Sequence, residues 1–341
     1  MAKNILITGG AGFIAHHVID LLLSQTDWNI VTLDRLDYSG NLNRLHEVVD
    51  SYSPSEKKRV RVVHHDLRAA LNPQIRRHLG KIDIIAHLAA GSHVDRSIEY
   101  PMDFVLDNVV GTVNLMDYAR NLDSLERFVY FSTDEIFGPA AQGIKFKEND
   151  RYNSTNPYSA TKAGGEEMVV AYENTYGLPA IITHTMNVFG ERQHPEKYIP
   201  LCIQKIRDNQ TITVHSNPEK TQAGSRHYIH ARDVADALLF LLSLDLSAVP
   251  KDSFAPKCEK FNIVGAEELD NLSLAKFIAE VQGKELRYEM VDFHSARPGH
   301  DLRYALDGSK MRNLGWQPKP IREGLVRVVN WTLSNDRWLC T

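Results

Sequence analysis

The sequence has few cysteines, and those it has form no recognisable pattern. Cys202, Cys258 and Cys340 are an odd number, lie far apart in the chain and include no Cys-x-x-Cys pair. We therefore expect neither a disulfide framework nor a metal site. This cysteine usage is typical of a reducing compartment.

Long apolar runs are also missing. The most apolar stretch, residues 237–242, is much shorter than the ~18 residues that a membrane-spanning helix needs. The N-terminus leads directly into a predicted strand and has no signal-peptide pattern. The sequence thus predicts a cytoplasmic protein with no membrane partner.

An excess of positive charge is absent as well. The chain has 39 Lys and Arg residues against 43 Asp and Glu residues, which gives a net charge of −4. A mildly acidic chain lacks the basic surface with which proteins bind nucleic acids or anionic membranes. No nucleic-acid partner is expected, and any phosphate must be bound by a local device.

The composition that remains is that of an ordinary globular protein. Apolar residues make up 43% of the chain and charged residues 24%, and there is no internal repeat or low-complexity tract. These values exclude disordered, collagen-like and coiled-coil proteins. At roughly 150 residues per domain, the 341 residues predict about two domains.

Short β-rich runs alternate with helical patterns in the first half of the chain. Strands are predicted over residues 3–8, 29–34, 60–66, 82–88, 127–132 and 180–185, and helices over 13–24, 101–121 and 158–176. Such alternation predicts βαβ units, and therefore an α/β fold with a Rossmann-type, doubly wound parallel sheet.

The pattern becomes less regular after residue 187. It predicts a helix over 231–244, a strand over 260–264 and helices near 273–282 and 320–335. We expect a Rossmann domain of residues 1–187 plus 231–250. The remainder, residues 188–230 plus 251–341, is expected to form a smaller α/β C-terminal lobe.

A glycine-rich turn joins the first predicted strand to the first predicted helix. Gly9 allows a tight turn, and Gly12 lets a pyrophosphate approach the helix N-terminus, where free N–H groups attract anions. Asp34 ends the second strand, at the position from which a carboxylate binds a ribose 2′-hydroxyl. These residues predict NAD rather than NADP, although the adjacent Arg35 is a side chain that accommodates a 2′-phosphate.

Tyr158 and Lys162 form a Tyr-x-x-x-Lys pair, which places both side chains on one face of a helix. A nearby ammonium group lowers the pKa of a phenol, and a phenolate can take a proton from a hydroxyl group while a nicotinamide takes the hydride. Four polar residues, 132–135, end the fifth predicted strand. Ligands of open parallel sheets bind beyond these strand ends, so we expect both motifs in one site.

Together these motifs resemble the extended short-chain dehydrogenase/reductase family over nearly the whole chain. Within that family the resemblance is greatest to nucleotide-sugar 4,6-dehydratases, and especially to the dTDP-glucose 4,6-dehydratases. It rests on residues 87–97, 132–138, 195–200 and 297–301, of which the Thr-Asp-Glu sequence at 133–135 is the most specific.

The resemblance implies a lyase reaction with bound NAD in deoxysugar biosynthesis. Thr133 and Tyr158, supported by Lys162, would act on the hexose 4-hydroxyl during oxidation at C4. Glu135 would remove the C5 proton, and Asp134 would protonate the departing 6-hydroxyl. Hydride return to C6 would then give the 4-keto-6-deoxy sugar and regenerate the cofactor.

The resemblance also implies which residues bind the two ligands, with the Rossmann domain holding NAD and the C-terminal lobe the nucleotide sugar. The cofactor residues implied are Gly9, Gly12, Phe13, Ile14, Asp34, Arg35, Asp66, Leu67, Leu88, Ala89, Ala90, Tyr158 and Lys162. The substrate residues implied are Ser92, Thr133, Asn187, Lys197, Arg226, Asn262, Arg297 and His300. A homodimer through helices 101–121 and 158–176 is implied as well.

Several positions depart from the family pattern. Gly91 replaces a Glu, Asp107 replaces a small hydroxyl residue, Val188 replaces an Asn and Ala296 replaces an Asp. The loop at 216–225 is also longer than in the dTDP enzymes. These changes leave dTDP, UDP and CDP as alternative nucleotides. They also keep three other functions open: a 4-epimerase, an N-acetylhexosamine dehydratase and an inactive NAD-binding sensor protein.

Overall fold

A computed structural model describes residues 2–249, 258–292 and 302–340. Their strands, in chain order, are β1 (Asn4–Thr8), β2 (Asn29–Asp34), β3 (Val60–His64), β4 (Ile84–His87), β5 (Arg127–Thr133), β6 (Ala180–Thr185), β7 (Val188–Phe189), β8 (Ile212–Ser216), β9 (Ser225–His227), β10 (Ile229–His230), β11 (Glu259–Ile263), β12 (Glu268–Asp270) and β13 (Tyr288–Asp292).

The helices of the same ranges are α1 (Phe13–Gln25), α2 (Leu42–Val49), α3 (Pro54–Lys57), α4 (Pro73–Leu79), α5 (Val94–Glu99), α6 (Pro101–Val105), α7 (Gly111–Ala119), α8 (Pro157–Tyr176), α9 (Tyr198–Arg207), α10 (Ala231–Ser243), α11 (Asn271–Val281), α12 (Ser309–Asn313) and α13 (Ile321–Ser334). A π-helical turn, Leu106–Val110, joins α6 to α7, and a 3₁₀ turn, Asp134–Phe137, follows β5. Within these ranges, none of the helices combines the length and apolarity needed to cross a bilayer.

The central sheet has seven parallel strands in the order β11-β6-β5-β4-β1-β2-β3. The order reverses between β1 and β4, and in open α/β sheets the crevice at such a reversal is where ligands bind. This architecture confirms the predicted Rossmann-type doubly wound fold.

The sheet is buried on both faces. Ile5 and Ile7 of β1 belong to the apolar cluster under α1 and α10, whereas Leu6 between them belongs to the cluster under α7 and α8. Successive side chains of a strand point to opposite faces, so a nearly continuous apolar strand fits a sheet that helices cover on both sides.

A third apolar cluster lies outside the central sheet. Residues of α9, α11 and α13 pack there around β8, with Cys202, Ile203, Leu274 and Leu325 fully buried. In the same part of the chain β13 pairs with β8, and β12 pairs with β9.

One detail of the sequence prediction was wrong. Residues 251–341 were assigned to the C-terminal lobe, but β11 pairs with β6 and is the edge strand of the central sheet. Apolarity alone could not show which sheet a buried strand joins. The helix predicted over 101–121 is confirmed over residues 101–119, with the π-helical turn at its centre.

Candidate active site

The glycine-rich turn lies at the carboxyl end of β1 and has no room for side chains. Gly9 has a φ of +73°, and a Cβ there would lie 3.0 Å from the Ala89 backbone. A Cβ on Gly12 would lie 2.8 Å from the Gly9 carbonyl oxygen. The chain therefore requires glycine at both positions for this turn to form.

Helix α1 begins directly after this turn and has an N-terminus suited to an anion. Among the described residues no side chain caps it, and its first turn has no acidic residue. The unpaired N–H groups and the helix dipole favour a phosphate group here. Phe13 and Ile14 line the same cleft.

Asp34 is held at the end of β2 by two backbone donors. Its Oδ2 accepts a hydrogen bond from Ala11 N at 2.9 Å, and its Oδ1 accepts one from Leu36 N at 2.8 Å. The carboxylate lines the cleft beside the glycine turn. This is the position in which a carboxylate accepts hydrogen bonds from a ribose hydroxyl.

One cleft unites many of the residues singled out in the sequence. It is lined by Gly9, Gly12, Phe13, Ile14, Asp34, Arg35, Asp66, Leu67, Leu88, Ala89 and Ala90, and by Ser92 and Lys197 from the predicted substrate set. The cleft runs past the carboxyl ends of β1, β2 and β4. Together with the glycine-rich turn and the buried carboxylate of Asp34, this lining fits a dinucleotide.

The second part of the site is built where β5 ends and α8 begins. Asn156 caps α8 by accepting a hydrogen bond from Ser159 N at 2.9 Å, and its Nδ2 donates to Glu135 Oε2 at 3.2 Å. Ser97 Oγ accepts a hydrogen bond from Tyr158 N at 3.0 Å. The helix start is thereby fixed against the carboxyl end of β5.

Asp134 is buried in surroundings that raise the pKa of its carboxyl group. Burial, and then the charge of Glu135, raise its pKa to about 7, against smaller opposing effects of Arg226 and the Thr133 hydroxyl. Thr133 Oγ1 donates to Asp134 Oδ1 at 3.1 Å, whereas Oδ2 is buried and has no hydrogen-bond partner among the described residues. A neutral carboxyl with one oxygen to spare can donate a proton to a ligand.

The Tyr158–Lys162 pair differs from the sequence prediction in one respect. Burial, and then the charge of Glu135, raise the pKa of Tyr158, although a hydrogen bond with Thr133 opposes them. Lys162 donates to the Phe131 carbonyl oxygen at 2.6 Å, and burial lowers its pKa to about 7. The prediction of a lowered pKa for Tyr158 was therefore wrong, since burial of the phenol and the charge of Glu135 dominate.

The remaining substrate candidates are dispersed. Arg226 is close enough to Asp134 to affect its pKa, and its guanidinium stacks on Tyr304 at 4.5 Å. Asn187 is exposed just beyond β6. Arg297 and His300 lie outside the described residues.

Asn262 is a correction to the predicted substrate set. It is fully buried in β11, and its side chain bonds to His184 at 2.8 Å and to the carbonyl oxygens of Phe146 and Asp307, each at 3.1 Å. All of its amide groups are engaged in joining segments of the fold. A structural role therefore replaces the predicted substrate contact.

Sequence reasoning missed residues that position the site. Asn156 stands before a proline at a helix start, a pattern that indicates an N-cap and could have identified it. Asp107 had been noted only as a departure from the family pattern. Its partner, Arg35, could not be found from the sequence because 72 positions separate them.

The fold and this site define the class of the protein. A Rossmann-type sheet, a glycine-rich dinucleotide turn and a Tyr-x-x-x-Lys pair beside Thr-Asp-Glu are the features of an extended short-chain dehydrogenase/reductase. Comparison with known proteins shows the same. Residues 6–328 match the family described as GDP-mannose 4,6 dehydratase, and the chain belongs to that family.

Three relatives illustrate this membership. The chain is 38% identical to the low-salt glycan biosynthesis protein Agl12 of Haloferax volcanii, covering 98% of this chain and 99% of that protein. It is 35% identical to dTDP-glucose 4,6-dehydratase 1 of Escherichia coli K12, covering 98% and 94%. The crystal structure of DesIV, a dTDP-glucose 4,6-dehydratase from Streptomyces venezuelae with NAD and TYD bound, superposes with a TM-score of 0.83 at 35% identity, with 98% of each chain covered.

These findings confirm the family recognised in the sequence. At the level of enzyme type, the chain is a nucleotide-sugar enzyme of the 4,6-dehydratase and epimerase kind. The prediction of NAD agrees with the cofactor bound in the Streptomyces structure.

Proposed function

We propose that this protein is an NAD-dependent nucleoside-diphosphate-hexose 4,6-dehydratase, with dTDP-glucose as the first substrate to test. The observation that carries this proposal is the Thr133-Asp134-Glu135 group beside Tyr158. A carboxyl group whose pKa is raised to about 7 lies next to a second carboxyl group there. Elimination of water needs one acid and one base, and this pair supplies both.

The residues that would hold NAD are the glycine turn, Asp34 and the cleft residues already described. When bound, its nicotinamide supplies the hydride acceptor for C4 and the hydride that returns to C6. The chain's own groups must hold the sugar and move three protons.

In the first step, Tyr158 takes the proton of the C4 hydroxyl, which becomes a ketone as the hydride leaves C4. Thr133 hydrogen-bonds to Tyr158 and orients this hydroxyl. The ketone then makes the C5 proton acidic. Glu135 takes that proton, and Asp134 gives its own proton to the C6 hydroxyl, which leaves as water. Hydride addition at C6 and proton return to C5 complete a net loss of one water molecule.

A substrate panel tests the reaction class. We expect dTDP-glucose, among dTDP-, UDP-, CDP- and GDP-hexoses, to lose 18 Da in a mass measurement, the mass of one water molecule, without an added oxidant. A product that keeps its mass but changes configuration at C4 would instead establish a 4-epimerase. Turnover only with an N-acetylated sugar would establish the N-acetylhexosamine alternative.

Two variants separate the roles of the carboxyl groups. Glu135→Gln keeps Tyr158 and Lys162, so it should still form bound NADH with the sugar nucleotide but exchange almost no solvent deuterium into C5. Asp134→Asn keeps the base, so C5 exchange should survive while water loss slows. A substrate with fluoride at C6 should partly rescue Asp134→Asn and not Glu135→Gln, because fluoride needs less acid assistance. Equal loss of NADH formation in both variants would show that the carboxyl groups only support the site.

We also propose that the protein is a homodimer formed through the helical segment of residues 101–119 and α8. Exposed apolar side chains lie on or directly before these helices: Tyr100, Met102, Val105 and Tyr176. Apolar side chains exposed to water are typical of protein interfaces where they form a continuous surface. Light scattering should give twice the chain mass for the wild type and a lower mass for Met102→Glu, whereas a monomeric wild type would contradict the proposal.

A further inference from the structure

The guanidinium of Arg35 is enclosed by carboxylates at the ribose end of the cleft. Its Nη2 donates to Asp107 Oδ2 at 2.8 Å, and its Nη1 donates to Asp107 Oδ1. Its Nε and Nη2 donate to Asp37 Oδ2 at 2.9 and 2.6 Å. Each of the three guanidinium nitrogens of Arg35 therefore donates a hydrogen bond to Asp37 or Asp107.

Asp107 reaches this position because of the π-helical turn and a missing side chain. Within the turn, the neighbouring Asn108 accepts a hydrogen bond from Gly91 N at 2.8 Å and donates to Gly91 O at 3.1 Å and Thr161 Oγ1 at 3.0 Å. A Cβ at Gly91 would lie 3.2 Å from Asp107 Oδ2 and 3.1 Å from the Phe104 ring. Gly91 thus leaves the space that the Asp107 carboxylate fills, and π-helical turns often occur at functional sites.

The position of Arg35 gives this contact its consequence. It directly follows Asp34, and an arginine near that carboxylate is the side chain with which Rossmann proteins accept the 2′-phosphate of NADP. A guanidinium binds phosphate through the same planar fork of donors that binds carboxylate. In this protein that fork is already occupied, and the Asp107 side chain is only 8% exposed.

The surrounding charges act in the same direction. Arg68 and Arg44 also line this cleft, and Arg68 pairs with Asp66 at 2.8 Å. With Asp34, four carboxylates therefore face three guanidinium groups. A 2′-phosphate would enter a region with an excess of negative charge, whereas a ribose hydroxyl would meet acceptors for its hydrogen.

We propose that Asp107 is a cofactor-specificity residue, which excludes NADP by keeping Arg35 away from a 2′-phosphate. This inference rests on the proposed function in one respect, that a pyridine dinucleotide occupies the cleft. It is independent of the sugar nucleotide and of the reaction. It adds to Asp34 a second determinant on a different segment of the chain.

The test measures binding rather than turnover. Dissociation constants of NADH and NADPH are determined by fluorescence for the full-length wild type, for Asp107→Asn and for Asp107→Ser, after removal of bound nucleotide. Asp117→Asn, an exposed aspartate further along the same helical segment that pairs with Arg120, is the matched control. Circular dichroism and retained NADH binding show that the variants fold.

We expect the preference for NADH over NADPH to fall about tenfold in both Asp107 variants, mainly through tighter NADPH binding, since one charged hydrogen bond is gained. The gain should shrink as salt is added, because the new contact is electrostatic. Asp117→Asn should leave the preference unchanged. In an Arg35→Ala background, the Asp107 substitutions should change the preference much less, because only the loss of one negative charge remains.

Two results would overturn this inference and leave the proposed function intact. In the first, the Asp107 variants bind NADH and keep the wild-type preference for NADH over NADPH. In the second, the Asp107 substitutions change that preference equally with and without Arg35. A wild type that binds neither nucleotide would instead refute the proposed function, and the inference with it.

Discussion

Asp134 gives a prediction in which stability and activity change in opposite directions. Replacing Asp134 by Asn removes a buried ionisable group whose folded pKa is about 7 and whose ordinary value is 3.8. Between these two pH values the unfolded chain releases the proton while the folded chain keeps it. The unfolded state then binds fewer protons, so the wild type loses stability as the pH rises from 3.8 to about 7. Above that pH the loss is complete and constant.

The magnitude follows from the size of this interval. Each pKa unit is worth about 1.4 kcal/mol, so the whole interval corresponds to about 4 kcal/mol. At pH 5 less than half of this has accumulated, because pH 5 lies little more than one unit above 3.8. The free energy of unfolding of Asp134→Asn, relative to the wild type, should therefore increase by about 3 kcal/mol between pH 5 and pH 8.

Urea unfolding of both proteins at pH 5, 6, 7 and 8 measures this difference, and titrating groups distant from Asp134 cancel in the comparison. Asp83→Asn is the matched control. Burial raises the pKa of Asp83, but hydrogen bonds from Lys81 and Asn4 outweigh burial and hold it below 3.8. The stability that the Asp83 carboxylate contributes is lost only at more acidic pH. The difference in the free energy of unfolding between Asp83→Asn and the wild type should therefore be constant from pH 5 to pH 8. A flat difference for Asp134→Asn as well would refute the protonated carboxyl and its role as the acid.

Three further predictions concern other parts of the site. Tyr158→Phe should lower the rate of bound-NADH formation by about 10²–10⁴-fold with unchanged nucleotide binding, because the ring remains while the proton acceptor is lost; stopped-flow absorbance at the NADH band measures this, and near-wild-type rates would contradict it. Asn156→Asp should keep the helix cap and the melting temperature but lower turnover, since it replaces the donor to Glu135 by a like charge; Asn156→Ala, which also loses the cap, should be less stable by about 1 kcal/mol. Gly9→Ala should abolish dinucleotide binding in calorimetry, because a positive φ and contact with Ala89 oppose the side chain; Gly177→Ala, which shares the positive φ but has nothing within 4 Å of the added Cβ, separates strain from contact.

The sequence was informative where a short segment carries its own physical meaning. The alternation of apolar strands with helices predicted the doubly wound sheet. The glycine turn with Asp34 predicted the dinucleotide end of the cleft, because φ preferences and helix-terminus charge depend on a few adjacent residues. The i, i+4 spacing of Tyr158 and Lys162 placed both on one face of α8. In each case the determining interactions lie within a few residues.

The sequence was uninformative where the outcome depends on burial or on distant partners. The assignment of β11 to the central sheet required knowledge of its neighbour, β6. Asn262 carries a side chain that suits a phosphate or a buried network equally well, and only its surroundings decide between them. The pKa of Tyr158 was predicted in the wrong direction because burial outweighs a cation that bonds elsewhere.

The sequence by itself determined the class of fold, the position of the glycine-rich turn and the identity of the proposed reacting groups, since these follow from local geometry and side-chain chemistry. The tertiary structure alone decided the raised pKa of Asp134 and the pairing of Arg35 with Asp107. Both depend on the distances and the desolvation that arise when segments far apart in the chain pack against each other. Free energies of charged groups change steeply with those two quantities, and neither can be derived from the order of residues along the chain.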